Sequence, residues 1–322
     1  MAGVIPLNIQ KYLIENNKTV DKGTTYAKEL PTFGLGRMLT LTVTISASTG
    51  TAAPTYVNDA PYKLLKRIRI ETDNGKVFYE VSGQELKYLN VFDFGRVVEE
   101  GALPTAASSS GSITFTLKIP LAVLKDPDAE LVTLVPAYAI TGWRIKIDLG
   151  TESDIVASGS ATIESIVIDA LVYEYYDDEK IDKTQFAESV FVVRRVENYD
   201  DITSVGERTL KFNTPSVVRR FVLYAYDSSN ALSDSVVSKF AVYVDDDRIY
   251  ENTWKANKQG DVLEYSLQTV PTGTTAVDFG TKDITACIEA TNSLRIEYVA
   301  EATGKFVAVN ENLVKFVDFI KA

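Results

Sequence analysis

The sequence has no histidine, a single cysteine, two methionines and two tryptophans in 322 residues. Without an imidazole that titrates near neutral pH, Ser-His-Asp and Cys-His catalysis are excluded, and the usual zinc sites go with them. Cys287, alone, forms no intrachain disulfide and no cysteine-rich metal cluster, and it is expected as a small buried hydrophobe. No apolar run approaches the length that spans a bilayer. The start, Met1-Ala2-Gly3-Val4-Ile5-Pro6, lacks the basic and long apolar regions of a signal peptide, so the chain is expected to stay outside the general secretory route. Positive charge is also short: 33 Lys and Arg face 44 Asp and Glu, and the formal net charge of −11 opposes general binding to nucleic-acid phosphates. What survives is chemistry on carboxylates, lysines, tyrosines or threonines, or no chemistry.

What the chain does have is a duplication. A strand pattern around Ile68 and Ile70 passes through Asp73-Asn74-Gly75 to Val77-Phe78-Tyr79, and the series ends much later in Thr141-Gly142-Trp143-Arg144-Ile145-Lys146-Ile147. Far downstream, Phe240 to Val244 passes through Asp245-Asp246-Asp247 to Ile249-Tyr250, and Leu294-Arg295-Ile296-Glu297-Tyr298 follows. Each half is too long for a solenoid repeat and the right size for one β-sandwich. A hydrophobic content of 45 % with 24 % charged residues suits two ordinary globular cores.

Strict alternation marks the strands. Leu39, Leu41, Val43 and Ile45 share one face, with Thr40, Thr42, Thr44 and Ser46 on the other. Ile113, Phe115, Leu117 and Ile119 repeat the pattern, as do Trp143, Ile145, Ile147 and Leu149, then Ile166, Ile168, Ala170 and Val172. Asn74-Gly75 predicts a tight hairpin. Ser82 three residues before Glu85 predicts a capped helix whose apolar stripe is Leu86, Leu89 and Phe92 (or Tyr88). In the second half strands are read at Leu210 and Phe212, at Phe221, Leu223 and Ala225, and at Ala241 and Tyr243 with a return through Ile249, then a short helix near Trp254 and strands at 277–279, 286–288, 294–299 and 306–309. Asn312 to Lys321 predicts a terminal amphipathic helix with Leu313, Phe316, Val317 and Ile320 on one face. Six to eight short strands per half is the pattern of a sandwich or jelly roll.

Candidate sites are few. Asp245, Asp246 and Asp247 are consecutive, so on a strand their side chains alternate faces and do not converge on one ion; a solvated turn is expected. Asp126 and Asp128 flank Pro127 in a loop, and Asp177-Asp178-Glu179 reads as a solvated linker. No acidic pair stands in a setting that raises one pKa for glycoside hydrolysis. Gly34-Leu35-Gly36 precedes a strand, not the helix that a phosphate loop needs. Tyr173, Tyr175 and Tyr176 read as packing aromatics, with a sugar-stacking patch as the other use. The basic run Lys63, Lys66, Arg67 and Arg69 alternates with Ile68 and Ile70 as the solvated face of a strand. No catalytic, cofactor-binding or metal-binding residue is assigned.

The passage from Pro61 to Ile70, with Tyr62-Lys63-Leu64-Leu65-Lys66-Arg67-Ile68-Arg69 between, then Gly75-Lys76-Val77-Phe78-Tyr79-Glu80-Val81-Ser82-Gly83, resembles the first-roll strand, hairpin and helix entry of double jelly-roll major capsid proteins. These belong to the lineage of tailless icosahedral viruses that includes adenovirus-like and internal-membrane phage capsids. The Trp143 to Ile147 and Leu294 to Tyr298 segments resemble the late strands of the two rolls. The likeness runs from Gly36 to Val309 and rests on the order and spacing of elements. Its loops are shorter than in large eukaryotic-virus members, which points to a compact bacterial or archaeal virus subunit without tall towers.

The expected fold is therefore all-β: two tandem eight-stranded-type jelly-roll β-sandwiches with short helices in the connections. The expected division is an N-terminal arm at 1–35, a first roll at 36–175, a connection at 176–206, a second roll at 207–309 and a C-terminal amphipathic segment at 310–322. The resemblance implies a non-enzymatic shell protein without cofactor, made in the host cytoplasm and carried in the virion. It implies homotrimers of pseudo-hexagonal outline with lateral contacts between trimers. It also implies contacts with minor capsid proteins and with an internal membrane through an inner element at Ile5 to Asn17; an arm packed on its own domain is the plainer expectation for that element. Apolar Phe191, Val217, Val218, Leu313, Phe316 and Ile320 need partners within or between chains, and Lys63, Arg219 and Arg220 are expected to relieve like charge at interfaces. The competing reading is a carbohydrate-binding or receptor-binding viral spike built from two β-sandwiches.

Overall fold

The structure, a computed structural model, describes residues 8–124, 126–280 and 286–321. The chain divides into two compact units, Met1–Val192 with Lys315–Ala322, and Val193–Val314.

The first unit begins with β1 (Ile9–Val20), β2 (Thr25–Glu29), β3 (Leu35–Thr49), β4 (Thr55–Tyr56), α1 (Ala60–Lys63), β5 (Leu65–Thr72), β6 (Val77–Val81) and α2 (Gly83–Phe94). It continues with β7 (Val98–Gly101), β8 (Ser110–Pro120), α3 (Pro127–Thr133), β9 (Val135–Pro136), β10 (Trp143–Leu149), α4 (Glu152–Ile155), β11 (Val156–Ser158), β12 (Ala161–Tyr176) and α5 (Lys183–Ser189). Strand order is β1-β12-β3-β8-β7 in one layer and β6-β5-β10-β2 in the other. Leu39, Leu41, Val43 and Ile45 of β3 are at most 1 % exposed, while the intervening threonines pair outward with β8, Thr42 Oγ1 to Thr116 Oγ1 at 3.0 Å and Thr44 Oγ1 to Thr114 Oγ1 at 2.6 Å. Burying each such aliphatic side chain contributes about 1.5–3 kcal/mol, so the alternation fixes which face is core. Trp143 of β10 meets Tyr173 of β12 edge to face at 6.2 Å, joining the two layers.

The second unit runs β13 (Phe191–Ile202), β14 (Gly206–Lys211), β15 (Ser216–Asp227), β16 (Val237–Val244), β17 (Asp247–Thr253), α6 (Trp254–Glu264), β18 (Thr274–Asp278), β19 (Ile288–Ala290), β20 (Leu294–Ala300) and β21 (Gly304–Lys315). The last helix, α7 (Phe316–Lys321), belongs to the first unit. Within this unit the orders are β13-β21-β15-β18 and β14-β20-β16-β17. They repeat β1-β12-β3-β8 and β2-β10-β5-β6 of the first unit, and a helix follows the hairpin in both: α2 after β6, α6 after β17. The duplication read in the sequence is thus a duplication of strand order.

Turn chemistry follows the residues. Gly75 has φ +84° in the β5–β6 turn, and of the two turn residues it is the glycine that takes the positive angle. In the β16–β17 hairpin Asp245 and Asp246 both take positive φ, 47° and 73°, the pattern of a two-residue turn of primed type. Ser82 caps α2 through its side-chain oxygen, which accepts from the Glu85 N–H at 3.2 Å, and Leu86, Leu89 and Phe92 are buried as the stripe required.

Four expectations are corrected. From Ile9 onward the N-terminal segment is not an arm but two strands, β1 on β12 and β2 on β10; Ile5 lies outside the described residues. In β12 a bulge between Ile168 and Ala170 flips the alternation, so Leu171 and Tyr173 are buried in place of Ala170 and Val172. Residues 176–206, expected as a connection with some structure and a short strand at Phe191–Val193, hold α5 and the much longer, twelve-residue β13. The terminal helix starts only at Phe316, because Asn312 and Leu313 pair with Val218 and Val217 as strand.

Candidate functional site

The largest departure from the sequence reading lies in the second core. Arg219 and Arg220, expected at an interface, are 3 % and 0 % exposed. Arg220 on β15 stands directly opposite Glu311 on β21, and Arg195 comes from the next strand, β13. Glu311 Oε1 lies 2.5 Å from Arg220 Nη2 and 3.2 Å from Arg195 Nε, while Oε2 accepts from Arg219 Nε at 3.0 Å. Burial alone would raise the pKa of this carboxyl; the guanidiniums of Arg195, Arg219 and Arg220 outweigh it and hold Glu311 well below the carboxylate range. Tyr265 lies over the Arg220 guanidinium at 5.8 Å and donates to Asp278 Oδ2 at 2.8 Å. The cluster is structural, joining adjacent strands from within.

The acidic clusters serve turns and caps. Asp245 accepts from the backbone N–H groups of Thr291, Asn292 and Ser293 at 3.0, 2.6 and 2.8 Å, whereas Asp246 pairs with Arg295 at 2.9 Å. Asp126 caps α3 by accepting from Asp128 N–H at 2.9 Å, and Asp177 accepts from Glu179 N–H at 2.9 Å. Asp178 pairs with Lys183 at 3.2 Å. Among the described residues no three His, Cys, Asp or Glu side chains are grouped to hold a metal ion. Cys287 is only partly buried, unlike the small core hydrophobe expected.

One carboxyl does have a raised pKa. Asp261 of α6 is pushed up to about 6 by burial, against hydrogen bonds from Thr275 Oγ1 at 2.6 Å and Ala276 N–H at 3.0 Å. Asn257 donates to Thr275 Oγ1 at 2.6 Å and to the Ala276 carbonyl at 2.7 Å, so both side chains seat α6 on β18. The sequence offered no sign of this, because the desolvation comes from packing.

The glycine and tyrosine motifs prove to be one packing device. A Cβ on Gly34, which has φ +71°, would meet the Tyr175 ring at 2.3 Å, and one on Gly36 would meet Tyr173 Oη at 2.9 Å. Tyr173 and Tyr175 stack at 5.4 Å, and Phe33 packs edge-on against Tyr175 at 5.1 Å and Tyr12 at 5.4 Å. Tyr176 points elsewhere, donating to Glu130 Oε1 at 2.7 Å.

Lys66, Arg67 and Arg69 of the basic run join an ion lattice that centres on the buried Glu71. Arg67 pairs with Asp148 at 2.7 Å, Lys66 with Asp154 at 3.2 Å, and Glu71 receives Arg69 at 2.9 Å, Arg144 at 3.2 Å and Lys146 at 2.7 Å. The outer face of β14-β20-β16-β17 carries a bowl of about 500 Å³ lined by Arg208, Lys239, Arg248, Glu207, Glu251 and Glu297, equal in opposite charges. The apolar positions expected to need partners find them in the chain: Val218 is 0 %, Leu313 5 % and Phe316 1 % exposed, with Phe191, Val217 and Ile320 partly buried. The exposed large apolar side chains include Ile9, Tyr12 and Leu13 of β1 and Phe33, with others such as Leu263 and Val205 scattered elsewhere. No described helix is long and apolar enough to cross a membrane.

No protein-family model and no curated protein sequence matches the chain. Solved structures do. The major capsid protein of Sulfolobus turreted icosahedral virus superposes with a TM-score of 0.75 at 14 % identity, covering 98 % of this chain and 99 % of that one. The PBCV-1 virus capsid gives 0.62 at 9 % identity over 97 % and 95 % of the two chains. The major capsid protein P2 of bacteriophage PM2 gives 0.58 at 12 % identity over 95 % and 97 %. Strand order and whole-chain superposition agree: the chain has the double jelly-roll fold of these viral capsid proteins.

Proposed function

We propose that this chain is the major capsid protein of a tailless icosahedral bacterial or archaeal virus, forming pseudo-hexagonal homotrimers that tile the shell. The observation that carries it is the end-to-end match to the turreted-virus capsid protein, 98 % of one chain on 99 % of the other. Two rolls of the same strand order give a trimer six similar corners, which is what tiling a facet requires. The buried ion ladder and the paired surface charges serve rigidity, and the reading assigns the chain no catalytic role. Minor capsid proteins and an internal membrane, reached from the N-terminal end where Ile9, Tyr12 and Leu13 are exposed, are its further partners. The virion is its place, after synthesis in the host cytoplasm.

Light scattering on the purified protein is expected to give a trimer, and electron microscopy of virions an icosahedral shell with this chain as the repeated unit. A chain that stays monomeric across salt and concentration overturns the proposal. So does a minor band on a virion gel, which would assign the chain to a spike.

A further inference from the structure

A cleft of about 630 Å³ opens beside α6; its apolar lining is Val262 and Val270, partly exposed, with Val237 and Trp254 of the second core, 1 % and 2 % exposed. That size falls within the range of small-molecule pockets, roughly 300–1,000 Å³, which are mostly apolar with a few polar groups that fix orientation. Three charged side chains line it: Asp234, Lys255 and Lys258. Two of them cancel. Lys258 Nζ sits 2.6 and 2.8 Å from the two Asp234 oxygens, and Asp234 also accepts from the Trp254 indole N–H at 3.0 Å and the Gly273 N–H at 2.8 Å. Ser238, also in the lining, donates to Glu301 at 2.6 Å; Glu301 keeps its charge but is not itself a lining residue. Lys255 remains: exposed, and in no ion pair among the described residues. Its ammonium gives a cleft lined by one carboxylate and two ammonium groups a net positive charge, in a chain whose total is −11.

We propose that this cleft binds a single-chain anionic amphiphile, with the chain along Val237, Trp254, Val262 and Val270 and the head group on Lys255. An uncharged chain alone would leave Lys255 unused, and a compact anion would leave the apolar walls wet. The site lies within the second unit and does not depend on shell assembly.

Trp254 lines the cleft, and the other tryptophan, Trp143, is fully buried in the first unit. In a Trp143→Phe chain, 12-bromododecanoate below its micelle concentration is expected to quench Trp254 saturably. Calorimetric titration of dodecanoate into the unmodified chain is expected to give the same constant. Lys255→Glu is expected to weaken dodecanoate about five- to tenfold and to leave dodecanol unchanged. Absence of saturable binding in both measurements overturns the proposal. Equal dodecanoate affinity in Lys255→Glu overturns the head-group assignment. Trp254 emission that follows protein concentration and ignores dodecanoate would give the cleft to a second copy, also overturning it. None of these results bears on whether the chain forms trimers.

Discussion

Glu311→Gln isolates the largest single electrostatic element in the second unit. The carboxylate is 0 % exposed and touches three guanidiniums, and those arginines are at most 3 % exposed. The variant keeps the side-chain shape and one acceptor oxygen but removes the negative charge beneath three positive ones. Removing one partner of a buried ion pair costs about 3–5 kcal/mol, because the charge left behind has lost its compensation. That is a large share of the roughly 5–15 kcal/mol by which a domain is stable. At about 3–5 °C per kcal/mol for a unit of this length, the expected loss is on the order of 10–20 °C in Tm. Calorimetry or circular dichroism on the soluble chain, with a Thr44→Ala chain as a control in the first unit, measures it. Because water and salt do not reach the pair, the loss is expected to be the same at about 0.05 M and 0.5 M salt. The pH dependence has a definite sign. The folded pKa of Glu311 lies far below the unfolded value near 4.3, so its contribution is complete above that unfolded pKa and is lost as pH falls through the folded one. Wild type and variant therefore keep a constant gap from pH 8 to about 5 and converge only in strong acid. A loss below about 1 kcal/mol, or one that shrinks with salt, would show that the three arginines do not depend on Glu311 and would refute the reasoning.

Further perturbations probe other links. Asp261 has its pKa raised to about 6 by burial, so its ionised form opposes folding: stability is expected to rise by up to about 2–3 kcal/mol as pH falls from 7.5 toward 4, and Asp261→Asn to flatten that slope in denaturant titrations. Gly34→Ala places a Cβ 2.3 Å from the Tyr175 ring at φ +71° and is expected to cost about 2 kcal/mol or more, read as a fall in Tm; a neutral result would contradict the close packing of this corner. Ser82→Ala removes the α2 cap and is expected to cost about 1 kcal/mol, with Ser82→Asp restoring most of it.

Much of the first unit was legible because its strands alternate against a wet outer face. Leu39 to Ile45, Ile113 to Ile119 and Trp143 to Leu149 each bury every second residue. The bulge at Ile168 was not legible, since an inserted residue changes phase without changing composition. Nor was β1: Gln10, Lys11, Glu15, Asn16 and Lys18 mask any period, and the strand exists through its ladder to β12. The terminal Leu313–Phe316–Ile320 spacing fits a helix and yet begins as strand, since pairing with β15 overrides a weak local preference. Among candidate sites, Asp245 and Asp246 do form the turn read for the three aspartates, whereas Asp247 opens β17, and the ladder of Arg195, Glu311 and Arg220 was invisible. Its members lie far apart in the chain and become neighbours only through strand order.

That ladder also explains why the second unit resists pattern reading. In β15 every residue from Val218 to Tyr226 is buried, so no alternation survives along it. One face of the strand meets the sandwich core; on Arg220 lies the Tyr265 ring, just past the end of α6, which Asn257 and Asp261 hold on the neighbouring strand β18. A strand buried on both faces cannot place a charged residue in water, so Arg219 and Arg220 must be compensated inside the fold. Glu311, directly opposite Arg220 on the neighbouring strand, does so. The two rolls therefore share strand order while differing in burial: the first presents rows of threonine outward from β3, and the second buries both faces of the equivalent strand, β15. Filling the α6 cleft with a Val262→Trp side chain is expected to abolish dodecanoate binding while leaving the Glu311 contribution to Tm unchanged. A fall in both together would show that the packing of α6 and the ion ladder are one cooperative element, not two independent ones.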